Sequence, residues 1–312
     1  MKQKISRRDM LAGSAAAATL FNTQCSLAGK APGKMDVRYC LNLSTIRGQE
    51  LDIIRELEVS AKAGYSGVEP WIRKITAYLE SGGTLPELRK RLEDIGLTVE
   101  GAIDFARWIV DDDAERAQGL EDIKRSMDIV AQLGGTRIAA PPAGANKSPM
   151  IDLHVAAERY RAILEIGDET GVTPTVEIWG HSTNLGRLSH SVFVAVESGH
   201  PKACLLPDVY HLFRGGSDFD SLKLLSAAAI PVMHFNDYPG NISREQMKDA
   251  DRVMPGDGVA PLTQILRDLS VSGSMPVLSL ELFSPAWWER DALETARIGL
   301  EKMQAVVETA LG

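Results

Sequence analysis

The feature that most constrains this 312-residue chain is a rhythm. From residue 35 to the C-terminus, short apolar runs alternate with longer amphipathic segments, eight times over. The runs are VRYCLNLST, SGVEPW, TVEGAIDF, TRIAAPP, TPTVEIW, ACLLPDVYH, IPVMHFND and MPVLSLELF, and their length and apolar content mark them as buried strands. Between them lie segments that read as helices. These are QELDIIRELEVSAKAG closed by Gly64, LPELRKRLEDIG with Pro86 in its first turn and Gly96 at its end, AERAQGLEDIKRSMDIVAQLGG, and HVAAERYRAILEIGDETG. A short helix around Ser191 to Glu197, then FDSLKLLSAAA, PLTQILRDLS and RDALETARIGLEKMQAVVETAL, complete the set. Strict alternation implies a parallel sheet with right-handed crossovers. No G-x-G-x-x-G follows the first strand, and eight units over this length predict an α/β fold of the closed (β/α)8 TIM-barrel type, a single domain over residues 35–312.

Four residues stand out against that background. Glu177, Asp208, His234 and Glu281 lie at or near the ends of strands five to eight, spaced by 31, 26 and 47 residues. Charged side chains in such strands are costly unless paired or metal-bound. The spacings are too long for one local loop, yet they suit one ligand from each successive unit, gathered where barrel active sites lie. Three carboxylates and an imidazole favour Mn²⁺, with Mg²⁺, Co²⁺ or Zn²⁺ as alternatives, over any thiolate-bound metal. An enzyme is the expectation.

Charge excludes one class of partner. The formal net charge is −8 and the pI is near 5.4, so there is no basic surface for nucleic acid. The N-terminus reads as an export signal. Lys2, Lys4, Arg7 and Arg8 make a basic head, and Met10 to Ala28 hold no charged side chain. Ser6-Arg7-Arg8-Asp9-Met10-Leu11 resembles the twin-arginine motif, and Ser26-Leu27-Ala28 offers a cleavage site. Residues 1–28 are therefore expected to be a twin-arginine-type signal peptide and 29–34 a linker, with a periplasmic or otherwise exported mature chain of charge about −11 and no stable membrane insertion. Asn22-Thr23-Gln24 before Cys25 lacks the apolar and small residues of a lipoprotein signal, and Cys40 and Cys204 fall on non-adjacent strands, which predicts free buried thiols.

The motifs VEIWGH, PDVYH, HFND and LELF at strands five to eight resemble those of the xylose isomerase-like TIM-barrel superfamily, the sugar phosphate isomerase/epimerase group. The resemblance spans nearly all of the mature chain. It implies that Glu177, Asp208, His234 and Glu281 are metal ligands, and that His211, in Asp-x-x-His with Asp208, contacts the substrate. It also implies that residues 252–258, ArgValMetProGlyAspGly, form the loop after strand seven, with Arg252 and Asp257 as substrate-binding candidates.

The implied chemistry is removal of a C–H proton next to a carbonyl, through an enediolate, on a sugar or cyclitol. Glu177 and Glu281 are the candidate base and acid, and His211 is the candidate donor to the oxyanion. Glu69, Trp71 and His181 are further substrate-binding candidates, and Trp179, Trp287 and Trp288 are candidates for ring stacking. A lyase or dehydratase acting on 3-keto-glycosides or inososes shares the first proton abstraction and is the alternative. Six histidines are too few for the trinuclear-zinc endonucleases that share this barrel. A non-catalytic sugar-binding barrel, and a homo-oligomeric state, stay open.

Overall fold

Strand β1 (Tyr39–Asn42) pairs in parallel with β2 (Gly67–Glu69) on one side and with β8 (Val277–Leu280) on the other, so the first and last strands are neighbours. The structure, a computed structural model, describes residues 35–271 and 275–312. The ladder continues from β2 to β3 (Thr98–Val99) and from β8 to β7 (Val232–His234). A second ladder joins β4 (Arg137–Ala140), β5 (Thr173–Glu177) and β6 (Leu205–Leu206), again all parallel. Two seams join the ladders. Ala139 N–H donates to Ala102 O at 2.8 Å beside β3, and Asp208 bridges His234 with His234 N–H donating to Pro207 O at 2.9 Å. Eight parallel strands thus close into the TIM barrel that the strand count predicts.

Local chemistry sets the helices around this wall. Asp side chains cap α1 (Ile53–Ala63), α4 (Asp113–Gln132), α5 (Leu153–Thr170) and the closing α10 (Ala292–Leu311), each accepting a backbone N–H of the first turn. Thr84 and Glu87 form a reciprocal capping box on α3 (Leu85–Asp94), with Pro86 in its first turn. The apolar faces pack inward on a core that includes Leu57, Ile123, Tyr160, Ile163, Leu266 and Met303. Cys40 and Cys204 are free and buried, as expected. Among the described residues, no helix is long and apolar enough to cross a membrane.

The structure departs from the sequence reading in three places. A helix absent from that reading, α2 (Ile72–Glu80), precedes α3, so the second unit has two helices. The segment Leu43–Gln49 is 3-10 helix, and the first α-helix starts only at Ile53, where Asp52 supplies the cap. The sixth unit differs most. The ladder strand stops at Leu206, because Pro207 has no N–H and Asp208 accepts from His211 N–H to start α7 (Val209–Gly215). PDVYH is therefore a helix start. FDSLKLLSAAA, read as a helix, forms only 3-10 turns at Phe219–Leu224 and Ala227–Ala229. The wall is completed by α6 (Leu188–Glu197), α8 (Leu262–Ser270) and α9 (Pro285–Trp288). The leader and linker expected over residues 1–34, Cys25 included, lie outside the described residues.

The seating of α7 depends on absent side chains. A Cβ on Gly215 would meet Gly186 O at 1.8 Å, and one on Gly180 would meet His211 O at 2.2 Å. The loop after β5 therefore lies directly on the α7 backbone, which fixes where His211 sits. We expect Gly215→Ala to destabilise the protein by about 2 kcal/mol or more, because backbone cannot yield as a side chain can. Urea unfolding of wild type and variant checks this; an unchanged midpoint contradicts the close contact.

Candidate metal centre

The four strand-end residues meet at one face of the barrel. Glu177 is the last residue of β5, Asp208 caps α7 after β6, His234 ends β7, and Glu281 follows β8. Parallel register places them together: Glu177 pairs with Leu206, and His234 pairs with Ser279 and bridges Asp208. Nδ1 of His234 lies 3.2 Å from Glu281 Oε2, 3.9 Å from Asp208 Oδ2 and 4.0 Å from Glu177 Oε1. One ligand atom each from Glu177, His234 and Glu281 falls within 4.8 Å of the others. All four residues are buried, at most 4% exposed.

Such crowding distorts proton affinities. Burial pushes the Glu177 carboxyl up to about 8; His234 pulls against this shift, and Glu281 adds to it. Burial also raises Asp208, with Arg252 opposing. Glu281 goes the other way. Burial would raise it, but His234 and Arg252 bring it down to about 2. His234 is held well above the usual imidazole range by Glu281 and Glu69, against the effect of burial. Two atoms of the cluster, Glu177 Oε2 and His234 Nδ1, are buried without a hydrogen-bond partner. Unpartnered oxygen and imidazole ligands in an anionic pocket are the donor set that a divalent cation completes. Glu177, Asp208, His234 and Glu281 fit that role.

Surrounding residues orient the four. Glu69 was expected to bind substrate, but the structure places it behind His234. It is 1% exposed, its Oε2 lies 3.1 Å from His234 Nε2, and it also accepts from Ser279 Oγ. A carboxylate on Nε2–H leaves Nδ1 as the ligand nitrogen. Asn42 donates to Glu281 Oε1 at 3.1 Å, and Asn236 donates to Asp208 Oδ2 at 2.7 Å. Arg252, 1% exposed, donates to Glu281 Oε2 at 2.7 Å and contacts Asp249 at 3.2 Å.

His211 is drawn in as well, though not with a free ring. Its Nε2 accepts from the Arg252 guanidinium at 2.9 Å, and its Nδ1 lies 3.2 Å from the Gly180 nitrogen. Burial and the Arg252 charge keep it neutral. Arg252 beside it has its Nε buried without a hydrogen-bond partner.

The remaining candidates separate. Trp71 is buried, and its indole N–H donates to Asn42 at 3.3 Å, so it supports a ligand from behind. His181 stacks on Trp179 at 5.6 Å and neighbours His211, at the exposed edge of the cluster. Asp257 does not join: its exposed carboxylate pairs with Lys302 of α10. In the same loop Asp237 accepts from the N–H groups of Gly256, Gly258 and Ala260, a clamp the sequence reading missed. Trp287 lies under Arg290, and Trp288 donates to Ser44 O at 3.2 Å. Asn42, Asn236 and Asp249 were also missed. Asn236 could have been suspected from its place two residues after His234, whereas Asn42 and Asp249 carry no local signal.

The family described as xylose isomerase-like TIM barrel matches residues 57–305. An inosose isomerase of Bacillus velezensis is 26% identical over 87% of this chain and 97% of its own length. A fructoselysine 3-epimerase of Escherichia coli O157:H7 is 24% identical over 80% and 94%. Among solved structures, that of IOLI protein with a binding zinc atom superposes with a TM-score of 0.82 at 21% identity, over 88% of this chain and 99% of the other. That of an L-ribulose 3-epimerase gives 0.71 at 20%, over 88% and 96%.

Two outcomes follow for the centre. Without metal, Glu177 and His234 both bind protons more tightly than usual, so cation uptake at neutral pH should release protons and strengthen as pH rises toward 8. Mn²⁺ calorimetry in buffers of different ionisation enthalpy checks the sign; affinity that falls with pH contradicts it. Removing the carboxylate behind His234 by Glu69→Ala should weaken Mn²⁺ and Zn²⁺ binding by about ten- to a hundredfold in competition with a chelating dye.

Proposed function

Because the chain belongs to the xylose isomerase-like TIM barrel family, we propose that it is a metal-dependent isomerase or epimerase of a keto sugar or cyclitol. The observation that carries this reading is the convergence of Glu177, Asp208, His234 and Glu281 in one buried cluster, whose two glutamates are driven apart in proton affinity. Glu177 is pushed up to about 8 and Glu281 held down at about 2. Groups whose environments drive them apart in this way suit an acid and a base.

A divalent cation held by Glu177, Asp208, His234 and Glu281 would supply Lewis-acid polarisation of adjacent substrate oxygens. The chain's own residues do the rest. Glu281, ionised and fixed by Asn42 and Arg252, is positioned to take the proton next to the carbonyl. Glu177, whose Oε2 is left without a partner, is positioned to deliver a proton on the other side. Arg252 offers its unpaired Nε–H to the enediolate oxygen. The proton delivered is therefore not the one removed, and both carboxyls are reset by exchange with solvent between turnovers.

The relatives named above as acting on inosose and fructoselysine support a cyclitol or keto sugar as substrate. The basic head and uncharged run of residues 1–28 support an exported enzyme; N-terminal sequencing of the secreted protein should begin near residue 29.

The test is proton NMR in D₂O with a panel of ketoses, inososes and 3-keto-glycosides. We expect deuterium next to the carbonyl with no group lost. Release of water or an aglycone would establish elimination instead. Glu177→Gln and Glu281→Gln should each slow exchange by about a hundredfold or more, and chelation should stop it until Mn²⁺ is restored. Full exchange in both variants overturns the assignment.

A further inference from the structure

Of Arg47, Arg73 and Arg252 at the mouth of the barrel, Arg252 alone has an ion-pair partner among the described residues. Arg252 has Asp208, Glu281 and Asp249 around it. Arg47, in the 3-10 segment after β1, and Arg73, in the first turn of α2, have no salt bridge and no side-chain hydrogen bond among the described residues. Aromatic faces hold them instead. The Arg47 guanidinium carbon lies 4.8 Å from the ring centres of Phe283 and Trp288 and 5.5 Å from that of Trp71. Arg73 lies 4.3 Å from the same Trp71 ring. Stacking on a ring face orders a guanidinium without using its N–H donors, which stay in its plane and open to a ligand.

Two like charges on one indole repel, and among the described residues no acid forms an ion pair with either. Burial and the Arg73 charge both lower the proton affinity of Arg47, while Glu281 and Asp249 oppose from the metal-centre side. The helix end adds to the imbalance. Unlike α1, α4, α5 and α10, α2 begins with no side-chain cap and no acid in its first turn, so its positive end is unneutralised. The arginines also adjoin the reacting groups. Phe283 carries Arg47 on its ring at 4.8 Å and Arg252 at the same distance, and Trp71 connects through Asn42 to Glu281.

We propose that Arg47 and Arg73 form an anion subsite at the mouth, and that the substrate is an acidic sugar or cyclitol whose carboxylate or phosphate docks there while its carbonyl end lies in the centre. The inference rests on the isomerase/epimerase reading for which end reacts, but its test does not need turnover. Guanidinium pairs bind planar carboxylates and phosphates alike, so both sources are kept as arms of one experiment.

The probes are D-gluconate, D-glucitol 6-phosphate and neutral D-glucitol, titrated against intrinsic tryptophan fluorescence of the full chain. We expect at least one anionic probe to bind tenfold or more tightly than glucitol; the arm that does so identifies the group. The exposed Arg73→Met alone should cut that preference at least threefold, and the Arg47→Met/Arg73→Met double variant should bring it near one. Arg47→Lys, which keeps the charge, should retain most of it.

A wild-type preference within twofold overturns the subsite. So does a preference that survives in the double variant, because the anion would then sit on the metal centre itself. Absence of solvent exchange with the anion preference intact would reject the isomerase reading and leave the subsite standing. Exchange with neutral ketoses and no anion preference would do the reverse.

Discussion

Four carboxylates crowd one imidazole at the heart of this barrel: Glu69, Glu177, Asp208 and Glu281 around His234, all out of water. Bringing that much negative charge into one buried space is unfavourable unless protons, Arg252 or a cation balance it. The local architecture follows from this constraint. Arg252 is drawn fully inside, Asn42 and Asn236 each lend an amide to a carboxylate, and the Glu177 carboxyl is pushed up where Glu281 is held down. A divalent cation would relieve the remaining imbalance, which is why the same cluster reads as a metal centre and as an acid–base pair.

The barrel makes such crowding feasible. Parallel strands deliver their C-terminal ends to one face, and each ligand sits where a strand gives way to a loop or helix. The rigidity beneath is backbone packed on backbone, as where Gly180 and Gly186 lie against α7. The rim is built differently. Trp71, Phe105, Trp179 and Phe283 form a partly open aromatic edge, with ring centres 5.2 to 6.3 Å apart. The centre is anionic and closed, whereas the rim is cationic and open, and the two are one ring apart at Phe283.

The eightfold rhythm was legible because buried strands and amphipathic helices leave different periodicities. The four converging residues were legible because a charged residue at the end of an apolar run is an anomaly. Reading failed where local pattern and tertiary context disagree. PDVYH resembles a strand end, yet Pro207 and the cap at Asp208 turn it into a helix, which also put His211 in a different setting. Asp257 resembled a substrate contact in a glycine loop, but Lys302 lies within reach. Glu69 resembled a substrate contact, and only its depth shows that it supports His234.

The sequence by itself determined the barrel, its strand order and the four side chains that converge, because alternation and burial are properties of each segment taken alone. Tertiary structure decided which groups stand behind those four and which stay unpaired. Glu69 reaches His234 across 165 residues and Asn42 reaches Glu281 across 239. Contacts of that span arise from closure of the ring between β1 and β8, which no local pattern records. The guanidinium groups of Arg47 and Arg73 likewise come to lie on aromatic faces, without an ion-pair partner among the described residues, only when separate loops meet at the mouth.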